Sequence, residues 1–272
     1  MQGLKNILDF YINSSLHVAL SVVSLGVLSF LEFNIEIDYN LLFFIFFGSI
    51  SGYNFVKYAG IAKLHHASLA RNLKLIQIFS LLCFLALLYF AFKQEFKILL
   101  VSAILGVFTL LYAIPLGRNR QNLRNIGGIK IFIIAVVWAG VVVILPLIDQ
   151  ISLKEISFSF LQRFFFVIAI TLPFEIRDLK YDSGNLNTIP QQIGIANTKK
   201  IGYILLGIML LLEFLKPFTS ETNFIALGFA LLISAYFIKA AEVDQGDYYS
   251  AFWVEGIPVF WLLCLVVANA FS

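Results

Sequence analysis

Glu175, Asp178 and Asp182 stand three and four residues apart at the end of an apolar run, in the stretch PFEIRDLKYDSGNLNTIP that runs from Pro173 to Pro190. On a helix those spacings put three carboxylates on one face. Oxygen donors arranged this way suit a hard divalent cation such as Mg2+, which takes one or two carboxylates and completes its shell with water and phosphate oxygens. Arg177 and Lys180, interleaved with the acids, either pair with a phosphate or neutralise a solvated helix end. Ionisable groups beside a bilayer are costly unless paired, so this face is a candidate site. Gly184, Asn185, Asn187, Thr188 and Pro190 then read as a helix exit and a turn.

The elements that must position these residues follow from composition. The chain of 272 residues is 60% hydrophobic and only 13% charged, where a soluble domain carries about 25% charged residues. That places the chain in a lipid bilayer and excludes an ordinary soluble enzyme. No basic patch stands apart from the loops, which argues against a nucleic-acid partner. Cys83 and Cys264 lie inside apolar runs and offer neither a disulfide framework nor metal-ligand spacing. Apolar windows approach the roughly 20 residues needed to cross a bilayer as a helix. They fall at about 12–31, 40–58, 74–92, 98–115, 128–148, 157–176, 199–217, 223–241 and 250–271. The expected fold is all-α, a polytopic membrane bundle of about nine transmembrane helices forming a single domain over residues 1–272. The N-terminus, with Lys5 and Asp9 and no small-residue cleavage site, reads as a retained first span.

Charge distribution gives an orientation. The N-terminus and the loops after the even-numbered windows hold 14 of the 19 basic residues, among them Lys57, Lys63, Arg118, Lys130, Arg177 and Lys180. The positive-inside rule puts the N-terminus and these loops in the cytoplasm and the C-terminus outside. The long loops after the second, fourth and sixth windows carry most of the polar chemistry.

The segment Glu175-Ile176-Arg177-Asp178-Leu179-Lys180-Tyr181-Asp182, followed by Gly184 and Thr188-Ile189-Pro190, resembles the second aspartate-rich motif of the UbiA superfamily of intramembrane prenyltransferases. That motif runs like DxRDxxxDxxxGxxTLP. Tyr112-Ala113-Ile114-Pro115-Leu116-Gly117-Arg118 is similar to the family's tyrosine–proline–basic segment. The resemblance implies that Asp178 and Asp182, with Glu175, bind Mg2+, which holds the diphosphate of a polyprenyl donor. It implies that Arg118, Lys57, Arg177, Lys180 and Tyr112 contact the donor, and that Asn54 assists. The implied reaction transfers the polyprenyl group to a lipid-soluble acceptor, with no protein nucleophile.

The chain departs from the family at the first motif, NxxxDxxxD. Asn54 is retained, but Tyr58 and Ala62 stand where two aspartates belong, and no acid occurs from Tyr39 to Gln94. A leaving diphosphate accumulates charge that metal ions stabilise, so losing half the carboxylates bears directly on turnover. The basic residues Lys57, Lys63 and Arg71, with His65 and His66, supply fixed cations there instead, or merely satisfy the positive-inside rule. Two other classes remain open. One is a non-catalytic relative that binds an isoprenoid or a partner protein. The other is a small transporter, against which stands the clustering of charges at span ends rather than at mid-membrane. If the resemblance carries over, Asn54 and Asp178 face one cavity with Arg118 at its rim.

Overall fold

The computed structural model describes residues 2–58, 67–113, 128–180, 188–216 and 219–271, and among these every regular element is a helix. In chain order they are α1 Gln2–Asn13, α2 Leu16–Glu32, α3 Tyr39–Tyr58, α4 Ala67–Ala91 and α5 Phe96–Ala113. Then come α6 Ile129–Leu147, α7 Leu153–Asp178, α8 Ile189–Leu215, α9 Glu221–Ala240 and α10 Tyr249–Ala270.

A helix lies under each of the nine apolar windows, yet fewer have the length and hydropathy of a complete span. Among the described residues six helices do, namely α3, the Leu73–Ala91 part of α4, α6, α7, α9 and α10. The bent pair α1–α2 brings the number to seven, against the nine expected. The reasons are local. α1 and α2 meet at 55°, with Ser15 in the left-handed region at φ 64°, where short polar residues are tolerated best after glycine. α5 runs from Phe96 to Ala113, and its described apolar stretch is Phe96–Leu111. α8 is interrupted at Gly194, whose φ of 77° suits a residue without a Cβ, and it carries Lys199, Lys200 and Glu213.

α7 is the axis of the bundle. Of its most apolar window 61% is buried, against 11% for α4. Ser152 starts α7 with a capping box, its side chain and that of Glu155 each accepting the other's backbone N–H. α7 packs on α6, α8 and α9, and Phe166, Val167, Ala169, Leu172 and Ile176 are all essentially buried. The outward faces of the other spans expose Leu81, Leu82, Leu211, Leu232 and Leu263, as expected of side chains solvated by lipid tails rather than water.

Two spans contain π-helical segments, Gly140–Ile144 in α6 and Tyr249–Val254 in α10. Such segments insert one residue into a helix and often sit at functional sites. Gly140 lets α5 approach α6: a Cβ there would come within 2.7 Å of the Leu105 side chain. In α10 the Glu255 N–H donates to the Ser250 carbonyl at 3.0 Å, an i to i−5 bond that turns Glu255 away from the regular helical register.

At the end of the bundle away from Asp178, four helices meet in a buried ionic cluster. Glu32 of α2 accepts from Arg163 of α7 at 3.0 Å and from Lys216, just past α8, at 2.8 Å. Lys216 also pairs with Glu213 at 2.7 Å. Gln162 and Ser159 hydrogen-bond into the cluster, and the Arg163 guanidinium lies 4.2 Å from the Trp261 ring centre in α10.

Candidate active site

The acidic face forms at the C-terminal end of α7. Glu175 and Asp178 are one turn apart, and Glu175 is only 2% exposed. Arg177 folds back on its neighbour, donating from Nε at 2.9 Å and from Nη2 at 2.7 Å to Asp178 Oδ1. Lys130, in the first turn of α6, brings its Nζ to 2.7 Å from Glu175 Oε1 and 3.8 Å from Asp178 Oδ2. The 2.7 Å contact is an ion pair by distance, its direction falling outside hydrogen-bond geometry. Lys180 follows α7 in a turn, 4.0 Å from the exposed Asp244 carboxylate. Asp182, Arg118 and Ala62 lie outside the described residues, and so does the side chain of Tyr112.

Beside this face lies an apolar chamber of about 940 Å3, walled by α3, α4, α5 and α6. α6 connects the two. Lys130, Ile134, Val137, Trp138, Val141 and Leu145 recur at helical spacing along one stripe. All of them after Lys130 line the chamber. Trp138 donates from Nε1 to the Tyr53 hydroxyl at 2.6 Å, joining α6 to α3 across the wall. Small residues Gly48, Gly52 and Gly106 and the hydroxyls of Ser51 and Ser102 complete the lining. Asn54 also borders the chamber, whereas Asp178 lies beyond its lining.

The end of α3, where the family's first aspartate motif would fall, does something else. Asn54 is buried and its amide is fully engaged. It donates to the Ser14 carbonyl at 3.0 Å and to Ser80 Oγ at 2.7 Å, and accepts from Ser15 Oγ at 2.8 Å. Lys57 Nζ donates to the Ile12 carbonyl at 3.3 Å, and the Tyr58 hydroxyl donates to the Asn13 carbonyl at 2.8 Å. These carbonyls end α1 and have no helical partner. Three residues of α3 at i, i+3 and i+4 therefore clasp the break between α1 and α2. Replacing Asn54 by Leu strands the buried Ser14 carbonyl and Ser15 hydroxyl and should cost about 2–3 kcal/mol. Tyr58→Phe removes one exposed bond and should cost less than about 1 kcal/mol. Unfolding of both variants in mild detergent checks this, and an Asn54→Leu protein as stable as wild type would dissolve the clasp.

Two residues that sequence reasoning passed over belong to the site. Lys130 reads in sequence as one more loop cation. Glu255 sits inside an apolar run, a signal in itself since intramembrane carboxylates are rare and usually functional. Lys57 and Arg177 both act electrostatically on its carboxylate. Among the described residues none makes an ion pair with Glu255 within 4.0 Å. The Glu255 backbone is held by α2, where Ser21 Oγ donates to its carbonyl at 2.5 Å. His17 supports the same segment, 2.8 Å from the Phe252 carbonyl and 2.9 Å from the Tyr11 hydroxyl.

The resemblance to prenyltransferases implies Mg2+ on this face, and the described donors do not fit a resident ion. Both oxygens of Asp178 face cations, one Glu175 oxygen is 2.7 Å from an ammonium, and the α3 position has a tyrosine hydroxyl turned to α1. No group of three or more His, Cys, Asp or Glu side chains among the described residues converges on a point where a metal could be held.

No family model matches the chain, and no curated protein matches it in sequence. A solved digeranylgeranylglyceryl phosphate synthase, studied in membranes, superposes on it with a TM-score of 0.61 over 100% of both chains, at 17% identity. The chain shares that synthase's fold. At this identity the likeness is silent on individual site residues. The chain is thus an integral membrane protein built on the frame of a membrane synthase.

Proposed function

We propose that this chain is an intramembrane prenyltransferase of the UbiA type, moving a polyprenyl group from a diphosphate donor to a lipid-soluble acceptor. The observation that carries the reading is the α6 stripe: one helix face presents Lys130 to the Glu175–Asp178 pair and then lines a chamber of about 940 Å3. Ligand pockets run to about 300–1,000 Å3, so a long hydrocarbon fits here with its charged head at the Lys130 end. The shared fold supports the reading, because the neighbour's product carries geranylgeranyl groups.

In this mechanism the cations Lys130 and Arg177 stand where negative charge develops as the donor's carbon–oxygen bond breaks. Preorganised charge in a dry site stabilises such a leaving group more than water does. Asp178 and Glu175 hold the two cations in place, and Glu255 sets the field between Lys57 and Arg177. Lys57, Lys180, Arg118 and Tyr112 extend the head-group site, and Asp182 continues the acidic face. Asn54 acts through position, fixing the α3 end against α1. Aromatic walls, Tyr53 and Trp138 among them, offer π faces to an allylic cation. The apolar lining favours a lipid-soluble acceptor over water beside that cation, and the proton the acceptor loses on forming its new bond passes to the departing diphosphate. The motif end faces the cytoplasm in this reading, and the donor and acceptor are set by chamber length.

One observation favours a second reading, a non-catalytic isoprenoid-binding protein: Tyr58 serves the clasp on α1 where catalysis would want an acid. Purified protein incubated with labelled polyprenyl diphosphates of several lengths and a lipid extract separates the two. Diphosphate release with a prenylated lipid product is the expected result. Binding of the labelled donor without release, at every chain length, would establish the second reading.

A further inference from the structure

We infer that the Lys130 ammonium is the built-in cation of the Glu175–Asp178 face, and that this chain engages a diphosphate without a resident divalent metal. The position of Lys130 is the first reason. Its Nζ lies between two carboxylates of one helical face, 2.7 Å and 3.8 Å away, with Glu175 buried and Lys130 only 20% exposed. A divalent ion coordinated by the same face would occupy the same gap.

Charge balance is the second reason. Glu175 and Asp178 carry two negative charges, and Lys130 and Arg177 carry two positive ones within contact of them. The described face is therefore neutral as it stands. A divalent ion added to it would leave an excess of two positive charges in a poorly solvated place, or would have to expel Lys130.

The third reason is the helix end. Lys130 is in the first turn of α6, which Gly128 opens at φ 75°. Cations are disfavoured at helix N-termini because the macrodipole is positive there. Lys130 therefore sits against the dipole, held by Glu175 and Asp178 across from it.

The assignment of Lys130 stands on geometry alone, and only the word diphosphate rests on the prenyltransferase reading. The test uses the full chain in detergent with two probes, Mn2+ observed by electron paramagnetic resonance and inorganic pyrophosphate by calorimetry. Wild type should leave Mn2+ unbound, show no thermal shift with millimolar Mg2+, and bind pyrophosphate equally with and without EDTA. Lys130→Met should gain a Mn2+ site for which Mg2+ competes, and Lys130→Arg, which keeps the charge, should not. Stoichiometric Mn2+ binding by wild type, abolished by Asp178→Asn, would overturn the inference, as would loss of pyrophosphate binding in EDTA. Should Lys130→Met fail to fold, the wild-type and Lys130→Arg arms still decide. If pyrophosphate binds under no condition, the diphosphate reading fails while the Mn2+ arms still report on Lys130.

Discussion

Arg163→Ala should lower the unfolding free energy by about 3–5 kcal/mol. The guanidinium is 2% exposed and holds Glu32 at 3.0 Å, while Glu32 is itself 6% exposed. Removing it leaves two buried acids, Glu32 and Glu213, sharing the single cation Lys216. Breaking a buried pair costs far more than the pair contributes, because the remaining charge has lost its compensation in a medium that solvates it poorly. The Trp261 ring also loses the guanidinium stacked at 4.2 Å, and with it one tie between α7 and α10. A control sits on the same side of the bundle. Lys97 and Asp149 pair at 2.9 Å, but with side chains 51% and 32% exposed, so Lys97→Met should cost less than about 1 kcal/mol. Equal midpoints for the two variants in a denaturing-detergent titration would mean the cluster does not hold the helices together.

Asp178→Asn should reduce formation of prenylated product by about 10^2–10^3-fold, the range found when one electrostatic contributor to a transition state is removed. The change is nearly isosteric and 23% of the Asp178 side chain is exposed, so the fold should survive it. What it removes is the charge that anchors Arg177 through two hydrogen bonds to one oxygen and draws Lys130 from 3.8 Å. Both cations then have freedom to swing away from the place where the leaving group's charge appears. The readout is diphosphate release from a labelled donor, with donor binding measured in parallel. Retained binding with lost release places Asp178 in the chemical step. Unchanged release would remove Asp178 from the mechanism and with it the motif on which the proposal leans.

Much of the fold is legible in local pattern. Apolar runs mark where helices lie, since the bilayer's thickness and the need to satisfy every backbone group leave little else. The count of complete spans is less legible, because hydropathy alone does not register the left-handed Ser15, which bends the chain between α1 and α2 inside a run that composition leaves continuous. The site divides the same way. Spacing alone puts Glu175 and Asp178 on one face, and the structure keeps them one turn apart at the end of α7. Asn54 and Lys57 were legible as polar residues at a helix end, but their bonds to Ile12, Ser14 and Ser15 depend on how α1 folds back.

By itself the sequence determined the membrane class, the helices and the acidic face, because each rests on periodicity or hydropathy within a single segment. Tertiary structure alone decided which charges meet. It brought Lys130 from α6 to the two carboxylates of α7 and gathered Glu32, Arg163, Glu213 and Lys216 into one buried cluster. Electrostatic partners are selected by distance in space and by the low polarity around them. A solvated loop lysine and a lysine held between two carboxylates therefore look alike until the helices pack.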